Sequence, residues 1–164
     1  MTITRRQLLP SLGMLAAAAG ALSIARAKPS GKFEVTKTEE HWREILTPDQ
    51  FDILRRQGTE RAGASPLNRE KRPGTFTCAG CDLPVYSSDT KFESGTGWPS
   101  FWKPLDNAVE TTTDRKFFMT RTEVHCRRCG GHLGHVFEDG PKPTGLRYCM
   151  NGVAMKFDPT SGSE

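Results

Sequence analysis

The chain has 164 residues, the size of one domain, and a net charge of +4 from 23 lysines and arginines against 19 aspartates and glutamates. The excess lies at the N-terminus: residues 1–27 contain three arginines and no acidic residue, which leaves 20 basic and 19 acidic side chains in residues 28–164. A nearly neutral domain has no overall electrostatic drive toward phosphate, so we expect no nucleic-acid partner, although a local basic patch stays open.

The N-terminal segment has the layout of an export signal. Thr4-Arg5-Arg6-Gln7-Leu8-Leu9 precedes an uncharged run over residues 8–24, and Ala25-Arg26-Ala27 supplies the small residues that a signal peptidase reads. The paired arginines resemble the twin-arginine signal. We therefore expect residues 1–27 to be a cleaved twin-arginine signal peptide, residues 28–164 to be the functional domain, and the mature protein to be periplasmic.

An uncleaved membrane anchor is the alternative to a cleaved signal. The apolar run is 17 residues long and contains Pro10, Gly13 and Gly20. It is therefore shorter and less apolar than a spanning helix, which needs roughly 20 strongly apolar residues. Export is the preferred interpretation, and contact with a membrane is expected only through the signal.

Two short helices are predicted at the start of the domain. Thr47 suits an N-cap, Pro48 suits the first helical position, and Gln50 completes a capping box. This helix is expected to end at Gly58. A shorter helix is predicted from Thr38, because the apolar residues that follow have helical spacing: Trp42, Ile45 and Leu46.

The pattern changes to short strands from about Pro73 onward. Runs rich in threonine, valine and aromatic residues alternate with clusters of glycine, proline, aspartate and asparagine, as is typical of antiparallel strands and turns. The predicted strands are Thr75–Thr77, Val85–Ser87, Val109–Thr113, Phe117–Val124, His135–Phe137 and Val153–Phe157. We expect one mainly β domain with a helical N-terminal flank.

The cysteines give the strongest signal in the chain. Cys78 and Cys81 form one C-x2-C pair, Cys126 and Cys129 form another, and 44 residues separate the pairs. Two residues between thiolates let a tight turn direct both sulfurs at one ion, so the pairs predict one closed, structural Zn²⁺ site. Two disulfides are the alternative in an exported protein, but a bond within each pair would close a very small loop and contribute little.

A fifth cysteine, Cys149, has no thiol partner once the other four bind metal. An odd cysteine in an exported protein indicates a reactive thiol; the alternative is an inert thiol packed as a small apolar residue. A reactive thiol needs a lowered pKa or a nearby proton donor. His132 and His135, within Gly131-His132-Leu133-Gly134-His135-Val136-Phe137, are candidates for that role.

Several motifs together carry a family resemblance. The paired cysteines, the segment 131–137, Arg147-Tyr148-Cys149-Met150-Asn151 and Ser94-Gly95-Thr96-Gly97-Trp98-Pro99-Ser100-Phe101 agree in order and spacing. Over about residues 38–158 the chain resembles the methionine-R-sulfoxide reductase B family. The resemblance implies two antiparallel sheets and a structural zinc. It also implies thiol-dependent reduction of the R epimer of methionine sulfoxide in proteins or peptides, which repairs oxidative damage.

The resemblance also implies roles for single residues. Cys149 would attack the sulfoxide sulfur and become a sulfenic acid, while His132 and His135 supply protons or orient water at the oxygen. Asn151 would hold that network, although Asn151-Gly152 is also typical of a tight hairpin turn. Trp98 would form an apolar wall for the substrate methyl group; alone, it would be interpreted as a core residue.

Three further residues surround these positions. Val136 and Phe137 follow the second histidine and are expected to contribute to substrate binding. Arg147 has two interpretations: it lowers the pKa of Cys149 through its charge, or it only pairs with a carboxylate.

One position departs from the family pattern. Many members carry a cysteine where this chain has Thr96, and that cysteine attacks the sulfenic acid to form an internal disulfide. With four cysteines assigned to zinc, no resolving thiol remains. We therefore expect an external thiol reductant, thioredoxin-like or other, to reduce Cys149 directly.

The alternatives to a methionine sulfoxide reductase are a non-enzymatic zinc-ribbon binding module and another thiol enzyme, such as a thiol peroxidase.

Overall fold

The structure, a computed structural model, describes residues 33–116 and 119–160. The predicted signal peptide, residues 1–27, lies outside these ranges, and so do the first two residues of the strand predicted over Phe117–Val124. Within the described ranges, no helix has the length and apolar character needed to cross a bilayer.

Both predicted helices are present. Helix α1 (Glu39–Ile45) begins after the N-cap Thr38, whose hydroxyl accepts a hydrogen bond from a first-turn backbone N–H. Helix α2 (Pro48–Arg56) begins with the predicted capping box, in which Thr47 and Gln50 each accept a hydrogen bond from the backbone N–H of the other. These caps satisfy N–H groups that a helix start leaves without partners.

Helix α2 ends one residue earlier than predicted. Gln57, not Gly58, adopts the left-handed conformation that stops the helix, with φ of 57°. The Gly58 N–H then donates to the carbonyl of Asp52 at 3.0 Å. This ending directs the Gln57 amide toward the strands, where it donates to both carboxylate oxygens of Glu123 at 2.9 Å.

Antiparallel strands are the main regular structure in the rest of the described chain. They are β1 (Gly74–Cys78), β2 (Pro84–Ser87), β3 (Lys91–Phe92), β4 (Ser100–Phe101), β5 (Val109–Lys116), β6 (Met119–Cys126), β7 (His132–Phe137), β8 (Arg147–Met150) and β9 (Met155–Pro159). A small sheet has the order β2-β1-β9, and a large sheet has the order β3-β4-β8-β7-β6-β5. Short 3₁₀ turns cover Pro66–Arg69, Ser88–Thr90 and Gly152–Ala154.

The predicted fold class is confirmed: the protein is mainly β, with two antiparallel sheets and two short N-terminal helices. Individual strands differ from the prediction. Strand β7 begins at His132 rather than His135, and β9 begins at Met155 because Gly152–Ala154 forms a 3₁₀ turn. Strands β3, β4 and β8 were not predicted, since two to four residues are too few to show a period.

The core includes buried residues of both helices, and one part of it lies between the two sheets beside the strand that carries Cys149. Tyr86 of the small sheet stacks on Phe101 of the large sheet with ring centroids 4.3 Å apart, and Phe76 meets the same ring edge-on at 5.0 Å. The Tyr86 hydroxyl also donates to the sulfur of Met150 at 3.1 Å. Because Met150 is fully buried and adjacent residues of a strand face opposite ways, Cys149 points away from this core.

Candidate functional site

A single row of side chains crosses the large sheet at Cys149. In the strand pairing, Ser100 of β4 lies opposite Cys149, Cys149 lies opposite His135 of β7, and His135 lies opposite Glu123 of β6. Thr112 of β5 continues the row opposite Glu123. Residues directly opposite each other in an antiparallel pair share one face of the sheet. The pairing therefore brings the predicted thiol and one predicted histidine to the same face.

Gly134 allows β7 and β8 to lie close together beside this row. A β-carbon at this position would overlap the backbone carbonyl oxygen of Cys149, and it would also lie 3.0 Å from the Cα of Met150. Any side chain here would therefore displace the strand that carries the thiol. Glycine removes that obstacle at a point of close backbone approach.

A β-bulge brings the second histidine to the same site. Val124 pairs with Gly134, but the next residue, His125, pairs with His132, which leaves Leu133 as the extra residue. Without the bulge, residues three apart on a strand would face opposite sides of the sheet. With it, Leu133 is fully buried in the core, and the rings of His132 and His135 meet at 5.3 Å between centroids. Bulges next to active sites often re-aim a side chain in this way.

A buried carboxylate holds each histidine. The Nε2 of His135 lies 2.9 Å from the Oδ2 of Asp114, which also accepts from Arg121 at 2.8 Å. The Nδ1 of His132 lies 2.8 Å from the Oε1 of Glu123. Because an ionised carboxylate accepts a hydrogen bond from the N–H at each of these nitrogens, Nδ1 of His135 and Nε2 of His132 are the nitrogens left for other partners.

The protonation states follow from burial and hydrogen bonds. Burial lowers the pKa of His135 below its usual value, and the hydrogen bond to Asp114 offsets this only in part. Burial raises the pKa of Glu123, but hydrogen bonds from its neighbours outweigh burial and leave that pKa below its usual value. His135 is therefore neutral at pH 7, and Glu123 is ionised. The Nε2 of His132 is buried without a hydrogen-bond partner among the described residues.

Cys149 is partly buried, and its surroundings shift the pKa of its thiol in opposite directions. Burial raises its pKa above the usual value, while the hydroxyl of Thr96 and the charge of Arg147 lower the pKa without cancelling the effect of burial. Sγ of Cys149 lies 3.8 Å from Oγ1 of Thr96. Arg147 also forms a two-point ion pair with Asp139, at 2.9 and 2.8 Å. Arg147 therefore pairs with a carboxylate, as one interpretation expects, and it also lies where its charge lowers the pKa of Cys149.

A cleft of ≈ 170 Å³ opens over Cys149. It is lined by Thr59, Trp98, Arg121, Gly134, His135, Phe137, Cys149 and Asn151. Among the predicted site residues, His132 and Val136 do not line it. His132 contacts the cleft through the ring of His135, and Val136 packs instead against the core cluster.

Asn151 joins three parts of the site. Its Nδ2 donates to the carbonyl of Leu133 at 3.1 Å, and its Oδ1 accepts from the backbone N–H of Glu60 at 3.0 Å. It precedes a 3₁₀ turn with φ of −68°, between β8 of the large sheet and β9 of the small one. Asn151-Gly152 is therefore not a two-residue hairpin turn, because β8 and β9 do not pair.

Glu60 is a residue that the sequence interpretation missed. Its carboxylate accepts from the backbone N–H groups of Gly152 and Val153 at 2.8 and 2.9 Å. Its carbonyl accepts from the indole N–H of Trp98 at 3.2 Å. One residue of the loop after α2 thus fixes the cleft tryptophan and the segment that follows Cys149. A lone glutamate in a loop gives no sequence signal for this role.

The four predicted metal ligands form one cluster. Sγ of Cys78 lies 3.7 Å from that of Cys129, Sγ of Cys81 lies 3.5 Å from that of Cys126, and all four lie within 4.8 Å of one another. A tetrahedron with metal–sulfur bonds of about 2.3 Å has sulfur–sulfur edges of about 3.8 Å. The cysteines are free thiols rather than two disulfides, so the donor set fits one tetrahedral metal ion.

The two C-x2-C turns have the same construction. In each, the residue after the second cysteine is left-handed, Asp82 in one turn and Gly130 in the other. Its N–H donates to the carbonyl of the first cysteine, Cys78 or Cys126, at 2.8 Å in both. The repeated turn presents two sulfurs from each side of the cluster, which explains why two short motifs suffice to build the site.

A partly buried thiol opposite a buried histidine, together with a four-thiol cluster, fits a thiol-dependent oxidoreductase. Residues 46–159 match the family model of the SelR domain. The chain therefore belongs to the SelR-domain family, whose curated relatives include methionine sulfoxide reductases of the MsrB type.

The relatives come from several groups of organisms. The chain is 52% identical over 126 residues to "Peptide methionine sulfoxide reductase MsrB" of Leptospira interrogans, covering 76% of this chain and 96% of that protein. It is 54% identical over 124 residues to the protein of the same name from Methanosarcina barkeri, covering 75% and 87%. It is 50% identical over 143 residues to "Peptide methionine sulfoxide reductase B1, chloroplastic" of Arabidopsis thaliana, covering 83% and 71%.

Proposed function

We propose that this protein reduces the R epimer of methionine sulfoxide, in proteins or peptides, to methionine. One observation carries the proposal: Cys149 lies opposite His135 on the neighbouring strand, in a cleft whose lining includes Trp98 and Phe137. A nucleophilic thiol, a proton carrier and an apolar wall are the three elements that reduction of a methyl sulfoxide needs. Family membership supports the same reaction.

The reaction begins with proton removal from Cys149. Neutral His135 takes the thiol proton at Nδ1, because its Nε2 is held by Asp114. The thiolate attacks the sulfoxide sulfur, and the oxygen receives the proton and moves to Sγ. Methionine leaves, reduced by two electrons, and Cys149 carries a sulfenic acid. His132 supports the step indirectly, because its ring packs edge-on against the ring of His135 while its Nδ1 is held by Glu123.

The cleft suits a single side chain. Its ≈ 170 Å³ is below the roughly 300–1,000 Å³ of sites for drug-sized ligands. Trp98 is held by the hydrogen bond from its indole N–H to Glu60, so its ring offers a fixed apolar surface to the methyl group. A methionine sulfoxide side chain of a larger protein therefore fits as substrate, with the rest of that protein outside.

The catalytic cycle uses one cysteine. Thr96 stands beside Cys149, and the other cysteines cluster as metal ligands. An external thiol attacks the sulfenic acid, releasing water and forming a mixed disulfide, and a second thiol frees Cys149 and leaves as the oxidised donor. A thioredoxin-like protein supplies both thiols in a single encounter.

The metal of the four-cysteine site is proposed to be Zn²⁺. Four thiolates at tetrahedral spacing are the donor set that structural zinc prefers, and a site closed by four protein ligands has no position for substrate. Cys78, Cys81, Cys126 and Cys129 would hold the ion, which supplies stability rather than chemistry. Arg55 and Arg128 donate to carbonyls of two of these cysteines at 3.0 and 3.1 Å and place positive charge beside the thiolates.

Turnover with separated epimers tests the proposed function. With dithiothreitol as donor, the R epimer of a methionine sulfoxide peptide should be reduced and the S epimer left unchanged. Mass spectrometry after one equivalent of the R epimer, without donor, should show one added oxygen on Cys149. An internal disulfide that includes Cys149 would contradict the one-cysteine cycle. A folded, metal-loaded protein without turnover would indicate a zinc-ribbon binding module instead.

Substitution of Glu60 by glutamine should slow the enzyme without unfolding it. The amide keeps one acceptor for two backbone N–H groups, so the segment after Cys149 loses a charge-assisted hydrogen bond worth roughly 1.5–3 kcal/mol. We expect kcat/KM to fall about tenfold and the melting temperature to fall by several degrees. Glu44, an exposed carboxylate on α1, provides the matched control: Glu44→Gln should leave both quantities unchanged. Equal effects of Glu60→Gln and Glu44→Gln would show that the Glu60 carboxylate does not support the site.

Export is proposed from the N-terminal sequence. Paired arginines, an apolar run and Ala25-Arg26-Ala27 support a twin-arginine signal that is cleaved after Ala27, and a periplasmic location follows. This route carries folded proteins, so zinc would enter before the thiols meet an oxidising compartment. N-terminal sequencing of the protein from a periplasmic fraction tests it: a mature N-terminus at Lys28 supports cleavage, and an intact N-terminus in the membrane fraction supports an anchor.

A further inference from the structure

A chain of three hydroxyl groups leads from the core of the large sheet to the sulfur of Cys149. Oγ1 of Thr96 lies 3.8 Å from that sulfur and 2.8 Å from Oγ of Ser94. Oγ of Ser94 lies 2.7 Å from Oγ of Ser100, which is fully buried. The Ser100 hydroxyl is also placed to donate to the carbonyl of Trp98 at 3.1 Å.

The loop between β3 and β4 is shaped to bring these groups together. Gly95 and Gly97 flank Thr96, and both have positive φ, 72° and 90°. The loop folds back so that Thr96 lies over β8, while Ser100 pairs with Cys149 from the neighbouring strand. The loop is tied down by the carbonyl of Gly97, which accepts from the Gly63 N–H at 2.7 Å.

Each hydroxyl has one proton, so the chain has two consistent directions. When Cys149 is a thiol, its S–H donates to Thr96, Thr96 to Ser94, Ser94 to Ser100, and Ser100 to the Trp98 carbonyl. When Cys149 is a thiolate, each hydroxyl turns about its C–O bond, and Thr96 donates to sulfur, Ser94 to Thr96, and Ser100 to Ser94. In both directions Ser94 also accepts from the backbone N–H of Thr96 at 3.4 Å, so its two lone pairs and one proton are used.

We propose that the hydroxyls of Thr96, Ser94 and Ser100 form a reversible donor chain that stabilises the thiolate of Cys149 against the cost of burial. Thr96 touches the reacting sulfur and acts as a catalytic residue, whereas Ser94 and Ser100 act through it as positioning residues. The proposal deepens the proposed function, on which it rests for the role of the thiolate. A threonine at this position thus supplies a hydrogen bond rather than only lacking a thiol.

Charged groups near the thiol act beside the hydroxyl chain. Arg147 lowers the Cys149 pKa through its charge and a hydrogen bond, whereas Asp139, its ion-pair partner, raises that pKa. Neutral His135 lies on β7 and Arg121 lines the cleft from β6, where it pairs with Asp114. Among the described residues, Thr96 provides the hydroxyl that lies within hydrogen-bond distance of Sγ. Its removal should therefore raise the pKa of Cys149.

Alkylation of Cys149 by iodoacetamide tests the chain without any sulfoxide turnover. The neutral reagent reacts with the thiolate, and peptide mapping separates Cys149 from the metal-bound cysteines. A donor favours the charged form, so its loss raises the pKa and lowers the thiolate fraction at a pH below that pKa. Thr96→Val should therefore reduce the alkylation rate at pH 8 about tenfold, because a hydrogen bond to a charged group is lost. Thr96→Ser should stay within about twofold of wild type.

Ser100→Ala, made alone and combined with Thr96→Val, tests the donor chain beyond Thr96. Ser100→Ala should slow alkylation about threefold in the wild type and should have no further effect when combined with Thr96→Val, because its influence passes through Thr96. Thr113→Val, the same change at an exposed site on β5, should leave the rate unchanged. Zinc content and melting curves confirm that each variant is folded.

Two results would overturn the donor chain. One is an alkylation rate in Thr96→Val equal to that of wild type across the pH profile. The other is an equal effect of Ser100→Ala with and without Thr96→Val, which would mark a general structural change. Neither result bears on whether methionine sulfoxide is reduced, so failure of the chain and failure of the proposed function remain distinguishable.

Discussion

Replacing Cys149 with serine is expected to lower the rate of methionine sulfoxide reduction by about four orders of magnitude or more, as removal of a catalytic nucleophile does in other enzymes. The reaction needs a sulfur that attacks the sulfoxide and then carries its oxygen as a sulfenic acid. A serine oxygen is a poorer nucleophile and cannot take up that oxygen. Steady-state assays with the R epimer and excess dithiothreitol measure the loss.

The same variant should remain folded. Serine has nearly the shape of cysteine, and the position is only partly buried, so we expect a change of less than about 1 kcal/mol in the free energy of unfolding. Metal content should also be unchanged, since the metal cluster does not include Cys149. Retained turnover in Cys149→Ser would show that another group is the nucleophile and would contradict the assignment of Cys149.

The sequence predicts the parts of the site whose chemistry is local. The capping box of α2 and the two C-x2-C turns depend on residues within a few positions of each other, and their structures follow the prediction. Counting identifies Cys149, because the other four cysteines form the two C-x2-C pairs of the predicted metal site. These features need no knowledge of which strands pair.

The parts that depend on register could not be predicted from the sequence. His132 and His135 share a face only because Leu133 is an extra residue in β7, and no local pattern reveals a bulge. Asp114 and Glu123 lie in β5 and β6, but which histidine each carboxylate meets depends on the alignment of three strands. Val136 follows His135 along the chain, yet the alternation of the strand directs it to the core.

Loss of one metal ligand should affect the whole domain rather than the cleft. Cys126 is fully buried, and it joins the end of β6 to the turn that leads into β7. Structural zinc contributes roughly 10–16 kcal/mol of apparent binding free energy in small metal-dependent domains, which is comparable to the entire stability of a typical domain, about 5–15 kcal/mol. We therefore expect Cys126→Ser to be metal-free and largely unfolded at 25 °C.

Metal analysis and circular dichroism distinguish this outcome from a local defect. Cys126→Ser should contain less than one tenth of the metal bound by the wild type and show no cooperative melt, whereas Cys149→Ser should match wild type in both. Activity should also disappear, because β7 begins six residues after Cys126 and carries His132 and His135. A Cys126→Ser protein that melts cooperatively near the wild-type temperature would show that the metal does not stabilise the fold. Retained turnover in that variant would further show that the four cysteines and the cleft are independent.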